Sequence, residues 1–512
     1  MKRIELFALS LLALGALALA TRHIETPGLQ YDELLFINAA KGGTGSDLFV
    51  EARIGSIPVL LMKYMGALKA WIYRPLFLAF PVSAVSIRLP AIVFGVAGGA
   101  LIVAGLGRLF GRQAALLAAP IVLLDPTLLM QSRLDWGPNA LMFLFRGLLF
   151  YSIGSWAATR KIFWLCCGLA ASLLGLFDKL NFIWLVYALV GSFLVFYWKE
   201  CWTAARSARG PYGCLAAMAA AGLGAATYRA IAVAQSLPAA KSFDLAIHAG
   251  QVLRLLALTA CGIGARDFVC GTGFGGSGPI LAVWALMLGL GAYLAFRNAS
   301  WALPPCLFVL ASFIGTSAMM LLTPTTTGVH HAALIGGLPQ AVFIAFACTR
   351  RDGSPLSGWP AVAVRVAVLS LAGLFAVSIV RTVDLFKRPQ NMSWDMANQR
   401  AAEYAASTGN VCISGDWGLS TQLVAFCKDS GDVLDAWEVL GFRGGAEFYV
   451  RTMDTGRTYE VLVRDRDVEY FKGGGASLIA AIGAGGWIVG PARAFKAWNG
   501  DDLVFVYTVH HA

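Results

Sequence analysis

"IRLPAIVFGVAGGALIVAGLGRLFGRQAALLAAPIVLLDPTLLMQSRLDWGPNAL", residues 87–141, is the stretch that decides the fold of this chain. It holds two apolar runs of membrane-spanning length, at about 88–107 and 114–132, joined by a short connection with Arg108 and Arg112. Polar residues return in "SRLDWGPN", before another apolar run begins near residue 138. Because lipid cannot hydrogen-bond to stray backbone groups, each apolar run predicts a helix. The stretch therefore predicts membrane helices joined alternately by a basic turn and by a polar one.

Apolar runs of this kind recur along most of the chain. Apolar residues make up 58% of the 512 residues and charged residues only 13%, which is typical of a polytopic helical membrane protein. We expect about eleven membrane helices on this pattern. Their approximate spans are 4–21, 88–107, 114–132, 138–158, 162–177, 181–198, 213–235, 279–296, 301–322, 333–349 and 360–380.

Basic residues in the short connections indicate how the helices are oriented. From a cytoplasmic N-terminus, every second connection is basic, as cytoplasmic loops should be. These residues are Lys2, Arg3, Arg108, Arg112, Arg160, Lys161, Lys199, Arg206, Arg209, Arg297, Arg350 and Arg351. The first segment also has the basic start and Ala-x-Ala ending of a cleavable signal peptide. Both interpretations put the loop 22–87 outside the cytoplasm, and an odd number of spans puts the tail outside too.

The composition changes near residue 381 to that of a water-soluble domain. We expect a helix near 394–407, a strand at "NVCIS", a helix at "STQLVAFC", and strands at "YEVLV" and "DLVFVYTV". Strands that alternate with helices predict a small α/β domain. The predicted division is a membrane domain over 1–380 and an outer α/β domain over 381–512. Cys412 and Cys427 are the two cysteines placed to form a disulfide there.

The formal net charge of +11 requires no nucleic-acid partner. Most of the excess lies in the cytoplasmic connections, where anionic lipid headgroups explain it. The glycine-rich "GTGFGGSG" at 271–278 follows no predicted strand, so it is no dinucleotide fingerprint, and we expect a flexible outer loop. The sequence contains no phosphate-binding P-loop motif either.

Polar residues that could carry chemistry gather at the outer ends of the predicted helices. They are Tyr31, Asp32, Glu33, Lys41, Arg88, Arg133, Asp135, Asp178, Lys179, His330 and His331. Transfer of a group from a phosphate-linked lipid needs such a set. Cations stabilise the departing phosphate, and a carboxylate takes the proton of an acceptor hydroxyl.

Several of these residues also have ordinary structural interpretations. Asp135 precedes a Gly-Pro pair at a helix start and could favour that helix end, while Lys179 could extend to the interface. His330 and His331 could bind a metal with Glu33, bind phosphate or hydrogen-bond to loop carbonyls, and we favour the last.

Two further polar pairs lead to separate expectations. Asp416 and Trp417 could form an acceptor surface, but we favour Asp416 as a helix cap. Asp125 and Arg146 lie at equal offsets from the turn near Asp135, roughly 15 Å below the rim. A lone arginine at that depth is expensive, so we expect these two residues to pair or to share a polar network.

The chain resembles the GT-C superfamily of membrane glycosyltransferases, in the branch of protein O-mannosyltransferases and the lipid A aminoarabinose transferase. The resemblance rests on "YDE" at 31–33, on the stretch 87–141 and on "GLFDKLNFIW" at 175–184. The segments "TTTGVHHAALIGGLPQ" and "ISGDWGLSTQL" are similar to uncharacterised bacterial members. The resemblance is clearest over about residues 25–200.

This resemblance implies an inverting glycosyltransferase with a polyprenyl-phosphate-linked sugar donor, of hexosyl or pentosyl type. Asp32 would be the base and Asp135 the second acidic residue, with Lys179, Arg133 and Arg88 as candidates for the donor phosphate. Glu33 would support the site from behind or hold a divalent cation. Tyr31, Asp178, His330 and His331 would line the site. No cofactor is certain, and neither the sugar nor the acceptor, whether protein, lipid A or envelope glycan, is specified.

Two other classes of protein stay open at this point. A transporter or lipid flippase also needs many helices and a few charges, although such proteins place binding groups near the bilayer midplane. A scaffold that displays the tail would leave the clustered charges unexplained. The expected location is the inner membrane of a bacterium with the tail in the periplasm, and an endoplasmic reticulum membrane is left open.

Overall fold

The computed structural model describes residues 3–41, 49–207, 211–236, 244–323, 328–350, 354–442 and 444–512. Lys2, Arg209 and Arg351, which contributed to the orientation argument, lie outside the described residues. The helices before residue 200 are α1 (Arg3–Thr21), α2 (Tyr31–Leu34), α3 (Ile37–Lys41), α4 (Leu68–Ala79), α5 (Ala84–Phe110), α6 (Arg112–Leu123), α7 (Pro126–Leu134), α8 (Asn139–Thr159), α9 (Ile162–Asp178) and α10 (Ile183–Phe196).

The remaining helices complete the bundle and enter the C-terminal domain. They are α11 (Trp198–Ser207), α12 (Pro211–Ser236), α13 (Leu245–Ala260), α14 (Gly264–Cys270), α15 (Gly278–Arg297), α16 (Pro304–Leu322), α17 (Val329–Ala332), α18 (Leu338–Cys348), α19 (Gly358–Leu385), α20 (Met396–Ser407), α21 (Leu419–Phe426), α22 (Trp437–Leu440), α23 (Gly445–Val450) and α24 (Gly474–Ala484).

The helical bundle is that of a multi-pass membrane protein. Among the described residues, six helices are long and apolar enough to cross a membrane, and two bent helix pairs raise the number to eight. Each of the eleven expected spans overlaps a helix, but the expected count is not confirmed because α1, α9 and α10 are shorter apolar helices. Helix α1 packs against α5, α6, α7 and α19.

The span expected at 114–132 is a bent pair. Helices α6 and α7 meet at 48°, and the break falls where Asp125 and Pro126 interrupt the apolar run. The Asp125 carboxylate accepts a hydrogen bond from the Thr127 amide at 2.8 Å, and Pro126 begins α7. Both are strong signals for a new helix start. This break directs α7 and its polar C-terminal end toward the first loop.

A second bent pair was missed by the sequence analysis. Helices α13 and α14 meet at 108°, so this segment is a sharply broken span or a re-entrant loop. The glycine-rich segment that follows is a loop, as expected, and two side chains of α14 hydrogen-bond to it. Arg266 donates to the Gly275 carbonyl at 2.5 Å, and Asp267 accepts from the Gly273 amide at 2.6 Å. These two side chains of α14 fix the turn.

Small residues bring α5 and α8 into close contact. A Cβ atom on Gly98 would lie 2.4 Å from the Phe143 carbonyl oxygen, and one on Gly147 would lie 2.3 Å from the Gly98 carbonyl oxygen. Membrane helices associate through such backbone approach because lipid supplies little hydrophobic drive. The two helices form the centre of the bundle.

The expected polar network around Asp125 and Arg146 is confirmed. Both side chains are buried. Arg146 donates to the carbonyls of Ala333 and Leu334, at 3.2 and 2.8 Å, whereas Asp125 accepts from the Gln340 amide at 3.0 Å. The two residues therefore share the segment 333–340 as partner.

The first outer loop has structure of its own. Strands β1 (Ala52–Ile54), β2 (Ile57–Met62) and β3 (Met65–Gly66) form an antiparallel sheet in the order β1-β2-β3. Strand β3 makes a bridge from Met65 to Lys179, at the break between α9 and α10. The loop is thereby attached to the outer end of the bundle.

The C-terminal part forms the expected α/β domain. Its strands are β4 (Val411–Ser414), β5 (Val433–Asp435), β6 (Thr458–Arg464), β7 (Trp487–Val489), β8 (Arg493–Lys496) and β9 (Asp502–His511). The sheet runs β5-β4-β6-β9-β7, with β8 also on β9. Strands β4, β5 and β6 are parallel, whereas β9 is antiparallel to its neighbours. Helices α20 and α21 cover one face and α23 and α24 the other.

The two cysteines expected to form a disulfide lie together in this domain. Cys412 and Cys427 are free thiols whose sulfur atoms are 3.6 Å apart and buried. The disulfide itself is not confirmed. Their neighbourhood shows that strand β4 and the end of α21 meet as the sequence predicted.

Candidate active site

A turn between α1 and α2 is held by one arginine of the bundle. The Arg133 guanidinium donates to the carbonyl of Ala20 at 3.0 Å and of Arg22 at 2.6 Å, and it also donates to the carbonyls of His23 and Thr26. All five of its N–H groups are engaged in this way, and the side chain is fully buried. Arg133 therefore holds the backbone of this turn. Because its donors are occupied by carbonyls, the role expected for it as a phosphate ligand is not supported.

A second arginine fixes the next part of the same segment. Arg88 donates to the carbonyls of Ile24 and Pro27, both at 2.8 Å, and of Gly28 at 3.1 Å. Its two remaining N–H groups meet the Glu33 carboxylate at 3.0 and 2.7 Å. The pair is bidentate and wholly buried. Arg88 thus has its donors occupied by protein, and the phosphate role expected for it is not supported.

Glu33 sets the orientation of α2 through this pair. Its carboxylate also accepts from the backbone amide of Gln30 at 2.9 Å, and the Gln30 side chain accepts from the Asp32 amide at 2.8 Å. These reciprocal bonds are a capping box at the start of the helix. Because both Glu33 oxygens face Arg88, this carboxylate supports the site from behind and is not placed to hold a divalent cation.

Asp32 points away from that pair and toward the bundle. The indole N–H of Trp136 donates to one of its carboxylate oxygens. Burial raises the pKa of Asp32 above its usual value, while the Lys179 ammonium and the Trp136 hydrogen bond oppose the rise. A carboxylate with a raised pKa, a single side-chain donor and a nearby cation is suited to take a proton.

The Trp136 ring connects Asp32 to two other segments. Its centroid lies 4.0 Å from that of Phe268 on α14 and 4.3 Å from that of His330 on α17. Helix α14 and His330 therefore pack on the tryptophan that donates to Asp32. His331 lies next to His330, with ring centroids 3.9 Å apart, and its Nδ1 accepts from the Gly328 amide at 3.2 Å. The favoured structural role fits His331, and His330 borders the site.

Lys179 is a cation with only one of its donors occupied by the described part of the protein. Its ammonium donates to the Gly137 carbonyl at 2.9 Å, and the side chain is buried. Gly137 has a φ of +65°, and a Cβ there would lie 2.5 Å from the ammonium nitrogen. Only glycine permits this approach. The two remaining N–H groups of Lys179 have no hydrogen-bond partner among the described residues, so they are available to a phosphate.

Asp135 is tied to a lysine that the sequence analysis did not single out. Its carboxylate lies 2.5 Å from the Lys69 ammonium on α4, and its other oxygen accepts from the Ala140 amide at 2.9 Å. Asp135 therefore caps the start of α8 and makes a buried ion pair. The sequence analysis left Asp135 either as an acidic residue of the site or as a residue that favours a helix end. These contacts favour the role at the helix end.

Several buried polar atoms near these residues have no hydrogen-bond partner among the described residues. They include both carboxylate oxygens of Asp178, the side-chain amide of Asn181 and Nδ1 of His330. Buried polar atoms are usually paired, so such a group calls for an explanation. A polar ligand held near Lys179 would supply the missing partners.

Tyr31 and Lys41 connect the first outer loop to the C-terminal domain. The Tyr31 ring stacks on Trp417, with centroids 4.5 Å apart and planes at 28°. Lys41 donates to the carbonyls of Val424 and Cys427, at 3.0 and 2.7 Å. The C-terminal domain therefore borders the candidate site.

Comparisons with known proteins agree with this architecture. The family described as dolichyl-phosphate-mannose-protein mannosyltransferase matches residues 66–223. The structure of ArnT from Cupriavidus metallidurans in the apo state matches with a TM-score of 0.58 at 12% identity, over 97% of each chain. The chain has the GT-C fold. The same ArnT bound to undecaprenyl phosphate matches with a TM-score of 0.57 at 14% identity, again over 97% of each chain. No curated protein matches this chain.

These matches confirm the resemblance to the GT-C superfamily that the sequence suggested. At 12% and 14% identity the likeness to ArnT establishes the fold alone. The family match covers the stretch that decides the fold, α7 and the Lys179 turn. Asp32 lies before it, so the role of this carboxylate depends on the local geometry.

Three residues that contact Asp32, Trp136 or Asp135 were missed by the sequence analysis. They are Trp136, Phe268 and Lys69. Trp136 lies in the polar stretch "SRLDWGPN" that the sequence analysis quoted, so it is the residue of the three that could have been recognised. Phe268 belongs to the unrecognised bent pair α13–α14, and Lys69 lies in the long predicted connection 22–87, where a lysine is ordinary. Among the described residues, no three His, Cys, Asp or Glu side chains come together as metal ligands.

Proposed function

We propose that this chain is an inverting glycosyltransferase that moves a sugar from a polyprenyl-phosphate-linked donor to an acceptor hydroxyl. The observation that supports this proposal most is that Asp32 and Lys179, which are 147 residues apart in the sequence, meet in one buried site beside unpartnered polar atoms. A base and a phosphate-binding cation are the two groups that this reaction requires. The GT-C fold and the undecaprenyl phosphate bound to ArnT support the same donor class.

The reaction needs one base and no covalent nucleophile. The acceptor hydroxyl loses its proton to the Asp32 carboxylate while its oxygen bonds to the anomeric carbon of the sugar. The bond from that carbon to the phosphate oxygen breaks, and polyprenyl phosphate departs. Lys179 stabilises the charge on the departing phosphate. One displacement inverts the anomeric centre, by the same logic as an inverting glycosidase.

The other residues of the site act by position. Arg133 and Arg88 hold the turn before α2, Glu33 orients α2, and Trp136 orients the Asp32 carboxylate. Their hydrogen bonds restrict the motion of the base. The site lies at the end of the bundle that the sequence analysis assigned to the outer face. We place it in the periplasm of a bacterial inner membrane, with the C-terminal domain on the same side.

The test is sugar transfer by wild type and by Asp32→Asn in matched nanodiscs. The donors are a panel of polyprenyl-phosphate sugars of hexose and pentose type, and envelope extract supplies the acceptors. Asparagine keeps the shape and can still accept from Trp136, but it cannot take the proton. We expect transfer to fall by about a hundredfold to ten-thousandfold. Donor binding should change much less, because Lys179 is retained.

Two outcomes would contradict the proposal in different ways. Near-normal transfer by Asp32→Asn would exclude Asp32 as the base and direct attention to Asp135. Absence of transfer by wild type over the whole donor panel would instead favour a transporter or lipid flippase.

A further inference from the structure

A row of aromatic rings leads from α2 across the C-terminal domain. We call this set the aromatic row: Tyr31, Trp417, Tyr470, Trp437 and Phe471. Beyond the stack of Tyr31 on Trp417, ring centroids are 6.1 Å apart for Trp417 and Tyr470, 5.8 Å for Tyr470 and Trp437, and 6.0 Å for Trp437 and Phe471. Tyr31 directly precedes Asp32 in the chain, so the row begins beside the proposed base.

A buried ion pair holds two members of the aromatic row in place. Asp416 meets Arg464 at 3.0 Å, and its other oxygen accepts from the Tyr470 amide at 2.9 Å. Arg464 also donates to the Trp417 carbonyl at 2.7 Å. This corrects the sequence interpretation of Asp416 as a helix cap, because Gly418 begins α21 without a side-chain cap. A fixed aromatic surface binds with a smaller loss of conformational freedom.

The aromatic row is accessible to a ligand. The Tyr470 side chain is 61% exposed, and the other four rings are partly exposed. Aromatic rings are enriched at binding surfaces because each combines a large apolar face with, for Tyr and Trp, a polar edge. The position of the row is fixed by the contact of α21 with the first loop, where the Gln422 amide donates to the Leu29 carbonyl.

We propose that the aromatic row is the acceptor subsite and that it binds a pyranose glycan. This inference rests on the proposed function, in which Asp32 accepts a proton from an acceptor hydroxyl. The C–H bonds on one side of a pyranose ring form a flat apolar face that stacks on an aromatic ring, while its hydroxyl groups reach the polar edges of Tyr and Trp.

The location of the row argues for this ligand over a lipid chain. The row is built mainly on a sheet domain with a polar surface, away from the apolar helices that an acyl chain would contact. The Tyr31–Trp417 and Trp437–Phe471 pairs stack with planes at 28° and 19°, and the Tyr470 ring lies between them, at 31° to Trp417 and 81° to Trp437. The exposed Tyr470 ring is therefore the member of the row on which a sugar ring can stack. A glycan on the row would extend toward Asp32 at its Tyr31 end.

The experiment measures glycan binding without requiring transfer. Full-length protein in nanodiscs is titrated with neutral tri- and tetrasaccharides of glucose, mannose and N-acetylglucosamine, and binding is followed by saturation-transfer NMR and tryptophan fluorescence. The variants are Tyr470→Ala, Trp417→Phe and the control Phe448→Ala. Phe448 is 64% exposed on the same domain and lies outside the row's ring contacts.

We expect at least one oligosaccharide to bind, with affinity reduced about three- to tenfold by Tyr470→Ala and unchanged by Phe448→Ala. Trp417→Phe keeps an aromatic ring and should bind more tightly than Tyr470→Ala. Tyr470 contributes its backbone amide to the Asp416 bond, so removal of its ring leaves the fold in place. Thermal unfolding checks this point for each variant.

The possible failures are distinct. If no oligosaccharide binds, or if all variants bind equally, the glycan subsite is wrong even when sugar transfer is observed. Binding of a peptide panel that depends on Tyr470 would overturn the glycan proposal in favour of a protein acceptor. If wild type binds a glycan through the row but transfers no sugar, the proposed function fails while the subsite stands.

Discussion

At the residue scale, the site depends on which charged groups the protein itself satisfies. Arg88 and Arg133 use all five N–H groups each on carbonyls and on Glu33. Lys179 uses one hydrogen bond, to Gly137, and Asp32 has one side-chain partner, Trp136. Reactive groups are those left with capacity for a ligand. Asp32 and Lys179 are accordingly the residues on which activity should depend most directly.

The pH dependence of transfer should report the environment of Asp32. Burial raises the pKa of this carboxylate, and only the ionised form can take a proton. The rate should therefore fall as the pH is lowered through the raised pKa, at a pH above the range of an ordinary aspartate. The measurement is kcat/KM against pH. The residual activity of Asp32→Asn should lack this acid limb, and an unchanged profile would exclude Asp32 as its source.

The same shift has a consequence for stability. Folded Asp32 holds its proton more tightly than the unfolded chain does, so its stabilising contribution is present at low pH and is lost as the pH rises through the folded pKa. At neutral pH the ionised carboxylate lowers the stability of the folded protein. Asp32→Asn should therefore unfold at no lower temperature than wild type, in the same detergent.

Lys179 should govern donor affinity. Lys179→Met keeps the length of the side chain and removes the ammonium. Loss of a charged hydrogen-bond donor to phosphate should weaken binding of a polyprenyl-phosphate sugar by about ten- to a hundredfold. The matched control is Lys63→Met, because Lys63 is an exposed lysine of the first outer loop. Equal donor affinity for the two variants would remove Lys179 from the phosphate site.

At the element scale, the short helix α2 owes its position to the bundle. A helix of four residues has little stability of its own. Arg133 on α7 holds the turn before it, and Arg88 on α5 holds Glu33 within it. The break between α6 and α7 in turn places Arg133 at this turn. Membrane helices thus orient Asp32, the proposed base, through buried arginines.

Removal of one partner of the buried pair should disrupt this arrangement. Glu33→Gln leaves the Arg88 guanidinium buried without its counter-charge, which should cost about 3–5 kcal/mol of stability. The control is Glu25→Gln, an identical change at an exposed position in the same segment, which should alter stability by less than about 0.5 kcal/mol. Thermal unfolding in detergent compares them. Equal stability of the two variants would show that the pair does not hold α2.

At the scale of the whole molecule, the C-terminal domain is part of the candidate site. Helix α21 packs on the first outer loop through Lys41 and Gln422, and Trp417 stacks on Tyr31. The domain and Asp32 must therefore lie on the same side of the membrane. This agrees with an orientation in which the basic connections face the cytoplasm.

The orientation can be tested with reporter fusions. A reporter that is active only outside the cytoplasm should be active when fused after Ala512 and inactive when fused after Arg297. Activity is normalised to the amount of full-length fusion in the membrane. The opposite pattern would place the site in the cytoplasm and would contradict both the topology and a periplasmic reaction.

The sequence by itself determined that the chain is a helical membrane protein and that its candidate site residues gather at one end of the helices. Apolar runs separated by charged turns predict helices with polar ends, because the bilayer imposes that pattern. Asp32, Asp135 and Lys179 were assigned to one end of the bundle on this basis, and they do meet there. Helices α20 and α21 and strands β4, β6 and β9 of the C-terminal domain followed from local patterns in the same way, whereas β5, β7, β8 and α22–α24 were not predicted.

Tertiary structure alone decided what each charge does. Arg88, Arg133 and Lys179 are equivalent in a sequence, since each is a cation at a helix end. Whether their donors are consumed depends on carbonyls of the segment 20–28 and on Gly137, which are brought close only by packing. The bent pair α13–α14 was missed for a related reason, because carbonyls at its break accept hydrogen bonds from the side chains of Thr127 and Trp284, which lie in other segments. Whether a buried donor has a partner is a property of the folded chain. It separates Arg88 and Arg133, which hold the backbone, from Lys179, which keeps donors for a ligand.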